Sequence, residues 1–109
     1  MTRAEAEAFA REQLKFLADS YEDGGNEDWN MLARAARRVL AGDRTVASVF
    51  RRVFEEPGFA VSASGMEVGH AALGIALCGD REGLAYFATR HMPFNGIEHS
   101  LDAARALLG

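Results

Sequence analysis

Residues 64–79 read Ser-Gly-Met-Glu-Val-Gly-His-Ala-Ala-Leu-Gly-Ile-Ala-Leu-Cys-Gly, and the reading of this stretch decides the fold. Ser64 and Glu67 stand at the spacing of a capping box, in which a hydroxyl and a carboxylate each satisfy a free backbone N–H at a helix start. The residues that follow are apolar on nearly every side of a helical wheel, with Met66, Val68, Leu73, Ile75 and Leu77 distributed around it. A helix without a polar face belongs in the interior of a bundle. Its apolar run, 68–78, falls far short of the roughly 20 residues that span a bilayer, so no membrane association is expected.

The flanking segments are amphipathic with a 3.6-residue period. Thr2-Arg-Ala-Glu5 is another capping box and predicts a first helix over about 3–22. Ala6, Phe9, Leu14, Phe16, Leu17 and Tyr21 share one arc of it, and Arg11, Lys15, Asp19 and Glu22 occupy the other. Asp23-Gly24-Gly25 ends it. Asn26 caps a second helix whose first turn holds Glu27 and Asp28, where negative charge suits the helix dipole. Trp29, Leu32, Ala36, Val39 and Leu40 form its inner face, and Gly42 stops it. Asp43 caps a third helix to Glu56, with Val46, Val49, Phe50, Val53 and Phe54 facing inward before Pro57-Gly58. Residues 59–63 read as a loop. Asp80 caps a fifth helix to about His91, ended by Pro93, and a last helix runs from Ile97 or Ser100 to Leu108. The expected class is all-α: one domain over 1–109, a compact bundle of five or six helices around a central apolar helix between about Gly65 and Gly79.

Composition agrees, with 49% apolar and 26% charged residues, the ordinary globular mixture rather than that of a disordered chain. Cys78 is the lone cysteine, so an intramolecular disulfide is excluded and a reduced thiol packed as a small hydrophobe is expected. The first ten residues lack the apolar core of a signal peptide. Both features predict a cytoplasmic protein.

Motifs for catalysis are missing. The sequence has no glycine-rich phosphate loop, no nucleophile elbow, no H-E-x-x-H and no paired-cysteine zinc pattern. Phe94-Asn95-Gly96 reads as a turn. Glu67 and His70 have the i, i+3 spacing of a carboxylate-bridged di-iron helix, but that architecture needs two such pairs and two further glutamates. Their expected role is capping and a solvated edge of the central helix. His91 lies where a helix C-terminus favours a histidine, His99 projects to the polar side without an evident partner, and Cys78 lacks the cationic setting that activates a thiol. No metal, no cofactor and no enzymatic activity are therefore expected.

Charge is unevenly distributed within a net charge of −4. Residues 1–28 hold eight acids against three bases, a balance of −5, whereas 34–54 hold six arginines against Asp43 alone, a balance of +5. Arg34, Arg37 and Arg38 fall on one polar face of the second helix. Arg44, Ser48, Arg51 and Arg52 share a polar face of the third, with Glu55 and Glu56 placed at i+4 to offset Arg51 and Arg52. The bland reading is a solvated face, or arginines that meet the acidic first helix inside the fold. Arginine clusters are also enriched at interface hot spots, and bipolar charge orients docking. The expected function is a non-enzymatic protein-binding domain, an adaptor or inhibitor that occludes a partner surface through Arg34, Arg37, Arg38, Arg44, Arg51 and Arg52. The expected partner is another protein with an acidic patch, and homodimerisation is an alternative. Small acidic inhibitors of nucleic-acid-processing enzymes, among them phage proteins that block bacterial defence systems, share this profile in type. The competing expectation is a helix-turn-helix regulator, against which stand the net acidity, Asp43 at the helix start and the two glutamates.

Overall fold

The computed structural model describes residues 1–21, 27–55, 65–89 and 97–109. The expected caps and stops at 23–26, 57–58, 64 and 93, the loop at 59–63, His91 and the turn at 94–96 lie outside the described residues. So do the side chains of Tyr21, Met66 and Glu67. Six helices are present among the described residues: α1 (Arg3–Tyr21), α2 (Glu27–Leu40), α3 (Ala47–Glu55), α4 (Gly65–Leu77), α5 (Arg81–Thr89) and α6 (Glu98–Leu108). The all-α expectation holds, and α4 is the central helix, since each of the other five packs against it.

Helix ends follow local chemistry. The Thr2 N–H donates to Glu5 Oε1 at 3.0 Å and the Glu5 N–H to Thr2 Oγ1 at 3.1 Å, the two reciprocal bonds of a capping box. α2 and α4 both end in the same way. Gly42 and Gly79 take φ of 101° and 76°, a left-handed conformation open to glycine without a Cβ clash. At each, the next residue's N–H reaches back across the last turn: Asp43 N–H to Arg38 O at 2.9 Å, and Asp80 N–H to Ile75 O at 3.1 Å. These are Schellman turns, which satisfy the last free carbonyls of a helix.

The core takes Leu14 and Leu17 from α1, Leu32 and Val39 from α2, Phe50 and Val53 from α3, Val68, Leu73 and Ile75 from α4, Leu84 and Phe87 from α5 and Leu107 from α6, all buried. Gly74 lets α3 in. A Cβ at that position would lie 2.6 Å from three ring atoms of Phe50, so the Phe50 ring rests directly on the α4 backbone.

Three sequence expectations need correction. Phe16 is 51% exposed, because it lies about 110° around the wheel from the centre of the buried Ala6, Ala10, Leu14 and Leu17 stripe at 100° per residue. His70 is not at a solvated edge but buried, 2% exposed, since helices on all sides of α4 leave it no polar strip. The third helix starts at Ala47 rather than beside Asp43, whose Oδ1 instead accepts from the Thr45 N–H at 2.8 Å and hydroxyl at 2.6 Å. That Asx turn organises the connection before the helix.

Candidate functional site: an arginine-rimmed groove

A concavity with an apolar floor lies where α2 meets the start of α3. It encloses about 410 Å³ and is lined by Met31, Arg34, Ala35, Arg37, Arg38, Val46 and Val49. Met31, Arg34, Ala35 and Arg38 follow the i, i+3, i+4, i+7 spacing that puts four side chains along one helix face. Ala35 and Val46 are buried and Val49 half-buried, so the floor is an outer edge of the core. The three arginines stand around it.

Each rim charge has surroundings of its own. Arg34 Nη2 meets Glu27 Oε1 at 3.2 Å, with the glutamate side chain 77% exposed. Arg38 Nε lies 3.3 Å from Asp43 Oδ2. The Asp43 carboxyl is held below the usual carboxylate range, first by the Thr45 hydroxyl and N–H and then by Arg38. Arg52 borders the groove from α3: it bonds the Met31 sulfur and lies 3.5 Å from Asp28 Oδ1.

The six arginines singled out in the sequence therefore separate into two groups. Arg34, Arg37 and Arg38 surround the groove, with Arg52 beside it. Arg44 and Arg51 sit instead by the turn between α4 and α5, Arg44 against Gly79 and Arg51 in a bidentate pair with Asp80, Nε to Oδ2 and Nη2 to Oδ1, both 2.7 Å. Asp80 also accepts the Gly83 N–H at 3.0 Å as the cap of α5. The hydrogen-bonded pair raises the proton affinity of Arg51 through Asp80 and lowers that of Asp80 through Arg51. The carboxylate that engages Arg51 is thus 29 residues away rather than at i+4, and Arg34, Arg38, Arg51 and Arg52 meet acids outside α1. The sequence reading missed the floor of the groove. Met31 and Ala35 alternating with Arg34 and Arg38 was the signal for it.

This chain matches no family model, no curated protein and no solved structure.

Cys78 and His70 are both shaped by burial. Burial pushes the Cys78 thiol up to about 11, which keeps it protonated at neutral pH. Burial likewise pushes His70 down to about 4; its Nε2 lies 3.4 Å from Gln13 Oε1 and its Nδ1 has no hydrogen-bond partner. His99 is exposed, with its ring edge-on to Phe9 at 4.5 Å, a partner the sequence did not reveal. Among the described residues, no three metal-ligating side chains come together, and no helix is long and apolar enough to cross a membrane.

Proposed function

We propose that this protein is a non-enzymatic interaction domain, an adaptor or an inhibitor that occludes an acidic surface of a protein partner with the α2 face bearing Arg34, Arg37 and Arg38. The observation that carries this reading is the apolar floor of Met31, Ala35, Val46 and Val49 beside the guanidinium groups of three α2 arginines. Affinity at protein interfaces concentrates in central apolar anchors bordered by polar rims, and arginine is favoured there for its planar, bidentate donors. An inhibitor of a nucleic-acid-processing enzyme fits the same profile: a compact acidic domain whose cationic face covers a patch on the target. The helix-turn-helix reading has less support. It needs the exposed side of α3 for base contacts, yet Arg51 on that side is tied to Asp80, and an apolar floor gains nothing from phosphate.

Replacing Arg34, Arg37 and Arg38 together with glutamine tests the reading. Partner recovered with the wild-type chain from its native host is expected to be lost with the triple variant, while thermal stability changes by less than about 1 kcal/mol per exposed pair removed. Normal partner binding by a folded triple variant would refute it. Duplex DNA binding by the wild type that weakens with salt and with each arginine removed would put the DNA-binding regulator in its place.

A further inference from the structure

Resting on that reading, we propose that the groove between α2 and α3 takes one apolar side chain of an acidic peptide segment, and that Glu27 holds Arg34 until a carboxylate of that segment replaces it. The volume of about 410 Å³ falls within the range of clefts that enclose ligands. The floor offers aliphatic carbon and the Met31 thioether, whose flexible, polarisable chain adapts to different apolar shapes. An apolar side chain is what such a floor recognises. The rim selects its neighbours: Arg34, Arg37 and Arg38 attract carboxylates on either side of the anchor and repel lysine or arginine.

Glu27 and Asp43 pair with the rim arginines Arg34 and Arg38, and they differ in what else they do. Asp43 builds the turn before α3 through Thr45, so its contact with Arg38 is incidental to a structural task. Glu27 has its pair with Arg34 at 3.2 Å, in a largely exposed side chain. Such a pair is weak in water and easily exchanged, and at the first turn of α2 the helix dipole accommodates Glu27 with or without it. The fork of Arg34 is therefore held along α2 by a group that an incoming carboxylate displaces.

The probe is a short blocked peptide with one leucine between two pairs of glutamates, titrated into the protein with isotope-labelled methyl groups. The expected result is saturable shifts at Met31, Ala35, Val46 and Val49. Peptides with alanine for leucine, or glutamine for glutamate, are expected to leave these methyls in place. Glu27→Gln, which removes the competing carboxylate and leaves the fold intact with only a small loss of stability, should tighten binding roughly two- to five-fold, the equivalent of one exposed ion pair. Unmoved groove methyls, equal shifts with lysine-flanked leucine, or no gain from Glu27→Gln would each overturn the proposal. Groove methyls that ignore the peptide while the arginine triple variant still loses its partner would leave the interaction surface standing and remove this occupant from it. Peptide-induced shifts in a chain whose triple variant captures its partner normally would do the reverse.

Discussion

Gly83 has almost no space around it. A Cβ there would collide with Asp80 Oδ2 and lie 2.8 Å from Arg51 Nε, so even alanine must push the bidentate pair apart. Alanine is ordinarily worth about 1 kcal/mol over glycine inside a helix. Overpacking together with a damaged cap outweighs that gain, and Gly83→Ala is expected to destabilise by about 1–3 kcal/mol in urea denaturation. A stabilised variant would mean that the pair yields freely. At His70 the question is protonation. The unfolded imidazole takes a proton near pH 6.5 and the buried one only near 4, so between those values the unfolded state binds more protons and stability falls as pH falls. The slope approaches 1.4 kcal/mol per pH unit, or about 3 kcal/mol across the window. The difference in pH dependence between wild type and His70→Gln, read by urea titrations at pH 7, 5.5 and 4, should recover it. Identical profiles would show that His70 does not titrate in this range.

The close approach of α3 to α4 rests on Gly74 and Phe50 as a pair. Gly74→Ala alone is expected to cost about 1–3 kcal/mol by forcing the Phe50 ring aside, and Phe50→Leu alone a similar amount through lost packing. Combined, the smaller side chain makes room for the methyl, so the double variant should be more stable than the sum of the singles predicts, by at least about 0.5 kcal/mol. Strict additivity would place the ring elsewhere. Elements of this kind mark the boundary of what could be read from the chain. The Thr2 and Glu5 box, the glycine stop of α2 and the apolar character of α4 were all legible, because each depends on residues within one or two turns. Phe16 was misplaced by treating hydrophobicity as burial. His70 was misplaced because the burial of a polar residue in α4 is decided by five other helices, which no local window contains.

At the scale of the whole molecule, the candidate site was half legible. The arginine cluster followed from charge counting along the chain, but its division did not: Asp80, far along the sequence, determines that Arg51 serves the scaffold while Arg34, Arg37 and Arg38 stay at the rim. The groove itself arises where α3 leans on α2, and no single segment encodes it. Its floor is also part of the interior, for Ala35 and Val46 belong to the hydrophobic core as well as to the lining. Selection for a new partner cannot act on those two positions without also acting on foldedness, because a larger residue at either one overpacks the core. Heritable change in specificity is thereby channelled to the positions free of that double duty, Met31 and the arginines of the rim, where a lineage of such proteins could diversify its targets while keeping its architecture.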